Sequence, residues 1–344
     1  MGAQAISIAV DIMGGDNAPD AILDGVAEAL AVFGDRYRLL LVGPEELIAG
    51  GLKDRGIFGD PRLEIVNATQ VVEMGEHPAQ AYRKKRDSSI SVCMEMVRQK
   101  RAAAVFSAGN TGAAVTSAYF KWRMLPGIER PCLATLFPSE GKHFLLLDSG
   151  ANVDCSPVNL QHYAIMGSIY MSKVQKRKNP KVVLMCNGTE EGKGCKLVQD
   201  AHELLKRTAD INFAGNIEGH GIFAGNVDVV VCDGFVGNVF LKTCEQFSIS
   251  LMRLVKRNIE KKMLWKLGGL MARGAFGELK KMTAYDEVGG APLLGVSGVC
   301  IIGHGISNAK AVRNGIRQAG EFVKLRVNET ISEKARALAS SMNQ

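Results

Sequence analysis

Short apolar runs alternate with amphipathic stretches along most of the chain. The run at 6–10 precedes residues 20–33, in which apolar side chains recur at helical spacing behind Pro19. Apolar runs at 38–43 and 63–66 continue the alternation. Strand, helix and strand in this order predict an α/β fold with parallel strands and helices on both faces of the sheet.

The remaining elements follow from the same two periodicities. Further strands are predicted at 102–106, 132–137, 144–147, 181–186, 212–215, 227–232 and 298–302. Further helices are predicted at 45–51, 89–101, 158–175, 195–208 and from 239 onward. Because 344 residues with 47% hydrophobic content can bury a large core, we expect a single large α/β domain over 1–344, in one piece or as two lobes that share a sheet.

Five predicted strands end in glycines and short polar residues. These ends are 11–17, 107–112, 148–154, 187–194 and 233–238. In open α/β sheets, ligands bind at the carboxyl ends of the strands, where helix N-termini present unpaired N–H groups to anions such as phosphate. One glycine-rich turn is weak evidence, since an ordinary strand-to-helix connection has the same composition. Five within one open sheet predict one composite anion site.

Two single residues stand out in such loops. Lys193 lies in a stretch close to a phosphate-binding P-loop, but three residues instead of four separate Gly188 from Gly192. Gly194 also replaces the magnesium-binding Ser or Thr, so we exclude nucleotide hydrolysis and keep Lys193 as a phosphate ligand. His304 follows a predicted strand between two glycines and is the histidine in the most site-like context.

Composition excludes several classes of protein. Only 6% of residues are aromatic, and no basic patch is interleaved with aromatics, which argues against nucleic acid as a partner. No apolar run reaches the roughly 18 residues of a membrane span, and the start does not resemble a signal peptide. The eight cysteines lack C-x-x-C and zinc-finger spacing, so we expect reduced thiols, no metal or other cofactor, and a cytoplasmic protein.

The net charge of +7 comes from one segment, residues 247–282, which holds nine basic residues and two acidic ones. Apolar residues share one face of a predicted basic amphipathic helix there, and the pattern breaks at Lys262. The candidate contact residues are Arg253, Lys256, Arg257, Lys261, Lys262, Trp265 and Lys266. Such a segment suits a membrane interface or an acidic protein partner, and packing within the subunit or on a dimer mate is the equal alternative.

A second basic run fills positions 83–86 with four consecutive cations. It can hold phosphate or an acidic partner, although a solvated helix face is the commoner explanation for such a run. Both interpretations stay open at this point.

Six short motifs then stand together in a fixed order. They are AVDIMGGD at 9–16, SAGNTG at 107–112, DSGANVD at 148–154, EEGKG at 190–194, VCDGFVGN at 231–238 and GGAPLLG at 289–295. In these motifs, over about residues 6–325, the sequence resembles the bacterial phosphate acyltransferases of phospholipid synthesis (acyl carrier protein:phosphate acyltransferases). It departs from the usual pattern at 186–187, with CN for Asn-Ile, and at 304–308, with HGISN for His-Gly-Ser-Ser-Asp.

The resemblance implies a Rossmann-like α/β/α sandwich akin to isocitrate and isopropylmalate dehydrogenases and to phosphotransacetylases. It implies a homodimer associated peripherally with the inner face of the membrane. It also implies that fatty acyl carrier protein and inorganic phosphate react to give acyl phosphate, which a downstream glycerol-3-phosphate acyltransferase uses. A phosphotransacetylase-like reaction with acyl coenzyme A is the alternative.

We expect phosphate to attack the thioester directly, without an acyl-enzyme, because holding it beside the carbonyl supplies proximity and orientation. The expected catalytic residues are Lys193, Asp233, His304 and Asp148, with His304 protonating the leaving thiolate and the aspartates orienting phosphate, accepting its proton or only capping helices. The expected phosphate and substrate ligands are Asp11, Gly14, Gly15, Asp16, Ser107, Gly109, Asn110, Thr111, Gly112, Asn152, Asn238 and Ser307.

Two rival classes have their own signals. A nicotinamide-dependent dehydrogenase is disfavoured because no G-x-G-x-x-G motif is present. A non-enzymatic membrane scaffold, with loops that bind a metabolite without turnover, is separated from an enzyme by a turnover assay.

Overall fold

The computed structural model describes residues 5–277 and 285–342. The strands are β1 Ile6–Asp11, β2 Tyr37–Gly43, β3 Leu63–Asn67, β4 Ala104–Ser107, β5 Cys132–Leu133, β6 Thr135–Ser139, β7 Lys142–Leu147, β8 Lys181–Met185, β9 Asn212–Ile217, β10 Val229–Val231, β11 Ala291–Leu294 and β12 Val299–Ile302. The chain therefore forms an α/β fold, as its periodicity predicts.

Helices connect most of these strands. They are α1 Asp20–Phe33, α2 Glu45–Asp54, α3 Pro78–Lys84, α4 Ser89–Arg98, α5 Thr111–Trp122, α6 Pro157–Lys173, α7 Lys196–Lys206, α8 Gly219–Ile222, α9 Gly234–Ile259, α10 Met263–Met271, α11 Tyr285–Val288, α12 Ala309–Lys324 and α13 Val327–Met342. A 3₁₀ turn covers Gly34–Arg36, and residues 273–277 are also helical.

The strands form two sheets, and not the one open sheet expected for the five glycine-rich strand ends, and the chain passes between them from β5 to β6 and again from β10 to β11. The first has the order β3-β2-β1-β4-β12-β11-β5 and the second the order β6-β7-β10-β8-β9. Only Ala134 separates β5 from β6, and its N–H donates to the Pro292 carbonyl at 3.1 Å. One buried apolar cluster contains residues of both sheets, with Tyr163 and Tyr170 of α6 among its largest members.

The parallel pairing predicted from the alternation of the first strands and helices is confirmed, and antiparallel strands occur at the junction of the sheets. Neighbours β1, β2, β3, β4 and β12 are parallel, as are β7, β10, β8 and β9. However, β11 is antiparallel to both β12 and β5, and β6 is antiparallel to β7. The sequence analysis missed β11 because only four residues, one of them Pro292, form it between glycine-rich turns.

Helix α9 begins five residues earlier than predicted. The stretch 234–238 forms the first turns of the helix and not a loop, because Asp233 caps it: Oδ1 accepts the Val236 N–H at 2.9 Å. The basic segment predicted at 247–282 therefore continues a helix that starts just after β10. Its break at Lys262 is confirmed as the start of α10, and residues 278–282 lie outside the described part.

Candidate active site

The first group of predicted site loops follows β1, β4 and β12, which are neighbours in the first sheet. Asp11 ends β1 and is 2% exposed, and the Ser107 hydroxyl donates to its Oδ2 at 2.7 Å. The Ser107 Oγ also accepts the Gly109 N–H at 3.2 Å. Burial raises the pKa of Asp11, and the hydrogen bonds that it accepts oppose the rise. Asp11 and Ser107 thus tie two strand ends together.

Glycines let these loops touch through their backbones. A Cβ on Gly14 would lie 2.7 Å from the Gly109 nitrogen and 2.8 Å from Asp11 Oδ2, so only glycine fits. Gly15 has φ of +111°, and the next residue, the exposed Asp16, donates its N–H to the Gly305 carbonyl at 2.7 Å.

Helix α5 opens directly out of this cluster. Its cap is Asn110, whose Oδ1 accepts the Ala113 N–H at 2.9 Å and whose Nδ2 donates to three carbonyls of the 73–76 turn. Thr111 and Gly112 are the first two helical residues and are partly exposed. Their N–H groups have no acceptor within the helix, so they can bind an anion.

The loop after β12 completes the first group. Ser307 is buried, and its hydroxyl donates to the His304 carbonyl at 2.6 Å. On the His304 ring, Nδ1 accepts the Ile306 N–H at 3.4 Å, and Nε2 lies 3.6 Å from Oε1 of Glu245 on α9. Burial raises the pKa of Glu245, but the hydrogen bonds from His304 and Lys242 outweigh it and lower the pKa overall.

The second group of loops follows β7, β10 and β8, and Asp148 is its centre. Its fully buried carboxylate accepts backbone N–H groups at 2.7 to 3.1 Å. The donors are Leu133, Gly150, Ala151 and Asn152. Burial raises the pKa of Asp148, and these donors oppose the rise. Because both oxygens are bonded to the protein, this geometry suits a residue that positions the loop.

Asn152 extends the network from Asp148 to its neighbours. Its Nδ2 donates to the Pro131 carbonyl at 2.5 Å and to the Tyr163 hydroxyl at 3.0 Å. Its carbonyl accepts the Gly234 N–H at 2.8 Å. The loop after β7 is therefore bonded to the first turn of α9.

The start of α9 packs tightly on that loop. A Cβ on Gly237 would lie 1.9 Å from the Asp148 carbonyl oxygen, so this position needs glycine. Asp233 is half-buried, with one oxygen in the helix cap. Asn238 is exposed and packs against Gly150, since a Cβ added to Gly150 would lie 3.3 Å from the Asn238 Cβ.

Lys193 lies in the loop after β8. Its backbone N–H donates to the Glu190 carbonyl at 3.1 Å, and a Cβ on Gly188 would lie 2.7 Å from its Cγ. The side chain is exposed, and within the described residues its Nζ has no hydrogen bond or ion pair. Lys193 thus presents a cation in the loop at the carboxyl end of β8.

Two contacts connect the groups of loops. Ala151, between Asp148 and Asn152, packs against the apolar cluster that contains Ala114 of α5. Glu245 of α9 reaches His304 in the first group. Strand ends from both sheets are therefore linked across their boundary. Among the described residues, Lys193 has no hydrogen bond or ion pair to the first group.

Two residues of this network escaped the sequence analysis. Glu245 lies within the long helical run of α9, with no turn or glycine beside it to mark it. Tyr163 lies in α6, which is apolar on nearly all sides, so its sequence indicates only a core helix. Among the described residues, no cluster of three or more His, Cys, Asp or Glu could hold a metal ion.

The distal half of α9 and α10 carry the predicted contact residues on their surface. All six cations and Trp265 are exposed, and Lys262 Nζ lies 4.6 Å from the Trp265 ring centroid. Large apolar side chains are exposed beside them, including Phe247 at 65% and Leu264 at 77%. An apolar cavity of about 410 Å³ lies between the helices, lined by Leu251, Leu254, Val255, Asn258, Ile259 and Trp265. No helix in the described part is long and apolar enough to cross a membrane.

The fold resembles that of two solved phosphotransacetylases. A phosphotransacetylase from Streptococcus pyogenes superimposes with a TM-score of 0.64 at 16% identity, covering 94% of this chain and 95% of that one. The EutD phosphotransacetylase from Staphylococcus aureus gives 0.61 at 13% identity, covering 93% and 94%. At these identities the likeness establishes the architecture alone.

Sequence relatives are more specific. The family model described as fatty acid synthesis protein matches residues 6–330. The phosphate acyltransferase of Dictyoglomus turgidum is 44% identical over 330 residues, which cover 95% of this chain and 97% of that protein. The phosphate acyltransferase of Pelotomaculum thermopropionicum is 46% identical over 326 residues, covering 95% and 94%. The chain therefore belongs to the fatty acid synthesis protein family, that of the bacterial phosphate acyltransferases, which are enzymes. This membership sets aside the dehydrogenase and scaffold alternatives.

Proposed function

We propose that this chain transfers a fatty acyl group from acyl carrier protein to inorganic phosphate and releases acyl phosphate for phospholipid synthesis. The observation that carries the proposal is the relationship, over 95% of the chain, to proteins named phosphate acyltransferase. The open start of α5 and the exposed cation of Lys193 support an anionic co-substrate.

Phosphate is bound, in this proposal, by the N–H groups of Thr111 and Gly112 and by the Lys193 ammonium. Free phosphate is strongly hydrated and attacks poorly, so fixing it next to a thioester gives the largest gain. Five other predicted ligands act indirectly, because their contacts with one another hold the start of α5 in place. They are Asp11, Gly14, Gly15, Ser107 and Gly109. The remaining predicted ligands lie in or beside the strand-end loops of the two groups. They are Asp16, Asn110, Asn152, Asn238 and Ser307.

The proposed reaction proceeds by direct attack. A phosphate oxygen bonds to the thioester carbon, and backbone N–H groups stabilise the oxyanion of the tetrahedral intermediate. The carbon–sulfur bond then breaks, and His304 protonates the departing thiolate. Asp233 accepts the proton of phosphate, since only one of its oxygens is held by the helix cap. Asp148 serves as a positioning residue, because its oxygens are occupied by loop N–H groups.

The proposal extends to location and partners. The exposed cations and apolar side chains of 253–266 favour peripheral association of a cytoplasmic homodimer with the anionic inner face of the membrane. There the acyl phosphate is delivered to a glycerol-3-phosphate acyltransferase.

The test is release of free carrier-protein thiol from palmitoyl acyl carrier protein, measured with and without phosphate. We expect release that depends strictly on phosphate and yields an acyl phosphate that hydroxylamine traps. Release without phosphate would instead indicate a thioesterase. Release from acyl coenzyme A alone would indicate phosphotransacetylase-like chemistry.

A further inference from the structure

Three cations at or just after the end of α3 have no partner among the residues that the structure describes. Arg83, Lys84 and Arg86 are exposed, and within the described part of the chain none of their side chains has a hydrogen bond or ion pair. Lys85 differs, because its Nζ is bonded to the Val71 carbonyl at 2.6 Å and to Glu76. Residues 73–87 hold four basic and three acidic side chains, and Glu76 is the acid that is paired with Lys85, so the surface keeps a small positive excess.

Exposed aromatic rings lie beside these cations. Tyr82 of α3 stacks on Phe120 of α5, with ring centroids 5.0 Å apart and an angle of 21° between the rings. Tyr119 meets Phe120 edge-on at 5.4 Å. Phe120 remains 60% exposed. Tyrosine, phenylalanine and arginine are enriched at protein–protein interfaces, and binding hot spots are enriched in tyrosine and arginine.

This surface adjoins the candidate active site. Pro78, the first residue of α3, packs against Gly112, where an added Cβ would lie 2.4 Å from Pro78 Cγ. Gly112 supplies one of the two open N–H groups at the start of α5. With a rise of about 1.5 Å per residue, Arg83 lies only about 8 Å along the helix from Pro78.

We propose that the α3–α5 surface, formed by Tyr82, Arg83, Lys84, Arg86, Tyr119 and Phe120, binds the acidic carrier protein that delivers the acyl thioester. The inference rests on the proposed function and assigns the docking of its donor to a surface other than 253–266. Cations matched to an acidic partner accelerate encounter, and the aromatic cluster supplies apolar contact area. A donor docked here has its thioester arm beside the start of α5.

The experiment compares two double variants with the same change in charge. Arg83→Glu/Arg86→Glu alters the α3–α5 surface, and Lys176→Glu/Lys178→Glu alters two exposed lysines before β8, at the opposite end of that strand from Lys193. Binding of palmitoyl acyl carrier protein is titrated without phosphate at low and high salt, and turnover is measured separately. We expect the first variant to weaken binding and raise KM for the carrier protein about tenfold, with kcat unchanged and a shallower salt dependence. The control variant should match the wild type.

Several results would overturn the assignment. Equal carrier-protein affinity in both variants and the wild type would do so, and so would a rise in KM for phosphate alone. Loss of binding to phosphatidylglycerol vesicles, with carrier-protein affinity intact, would make the surface a lipid contact. Turnover of acyl carrier protein that is insensitive to Arg83→Glu/Arg86→Glu rejects this surface and leaves the proposed function standing. If Arg83→Glu/Arg86→Glu weakens carrier-protein binding but the wild type forms no acyl phosphate, the docking surface stands and the proposed function is rejected.

Discussion

The strand-end loops differ from the outer helices, which are the distal half of α9 together with α10. The difference is whether their side chains find partners within the described chain. In the loops, the central carboxylates of Asp11 and Asp148 are buried and accept hydrogen bonds from neighbouring N–H and O–H donors. In the outer helices, large apolar side chains such as Phe247 and Leu264 have no cover within the described chain. The described part of the chain thus supplies partners for the buried carboxylates of the loops but leaves the apolar side chains of the outer helices exposed.

This difference separates two kinds of function. A loop whose carboxylates are fully bonded holds its backbone in one geometry before any ligand arrives, which suits chemistry that depends on orientation. An exposed apolar surface flanked by cations suits binding to a lipid surface or another protein. Substitutions in the two regions should therefore change different measurements.

The largest effect is expected from Asp148→Asn. The amide nitrogen would face backbone N–H groups that now donate to a carboxylate oxygen, and leaving such buried donors unpaired costs about 3 to 5 kcal/mol in total. Urea unfolding at neutral pH measures this loss. The matched control is Asp233→Asn, which should cost little because asparagine caps helices as well as aspartate does. Equal stability of Asp148→Asn and the wild type would mean that the loop is not organised by this carboxylate.

The second effect is on turnover and not on folding. Lys193→Ala removes an exposed cation that has no partner among the described residues, so the free energy of unfolding should not change. If the ammonium binds phosphate in the transition state, kcat/KM for phosphate should fall about a hundredfold or more. Lys196→Ala, three residues further on and paired with Asp200, is the control and should stay near wild type. Near-normal turnover of Lys193→Ala would remove Lys193 from the mechanism.

The same contrast explains what the sequence could predict. Strands such as Ile6–Asp11 and helices such as Asp20–Phe33 were predicted within a residue or so, because burial on one face or both imposes a regular apolar period. The strand, turn and helix around 107–112 were also predictable, since an apolar run that ends in small polar residues before helix-forming ones indicates this order of elements.

The rest depends on contacts between distant segments. The antiparallel strand β11 forms only because β5 and β12 flank it. The early start of α9 depends on Asp233 as a cap and on glycines that fit against the Asp148 loop. Glu245 gains its role from His304, 59 positions away in the chain, so no local pattern could reveal it.

A third prediction concerns the outer helices. Trp265→Glu places a charge in the exposed apolar surface next to Lys262, and it should weaken binding to anionic phospholipid vesicles about tenfold or more while leaving activity in solution unchanged. Vesicle co-sedimentation measures the binding, and Trp265→Phe is the control that keeps the aromatic ring. A variant that loses its fold, or forms no dimer while the wild type does, would instead indicate packing within the protein.

The smallest effect is expected from Glu245→Gln, at the contact between the two regions. The folded-state pKa of Glu245 is lowered, so its charge contributes stability above the carboxyl pKa of the unfolded chain. That contribution is lost as the pH falls through the lowered folded-state value. At neutral pH the substitution should therefore cost about 0.5 to 1 kcal/mol, and the difference from wild type should vanish in acid. Thermal unfolding across this pH range measures the difference in stability.

Glu260→Gln, whose partner Lys256 lies 4.0 Å away on the same exposed helix, is the control and should show a smaller cost. If both variants lose stability equally, the link between α9 and the His304 loop is no stronger than a surface ion pair, and the two regions are coupled by packing alone.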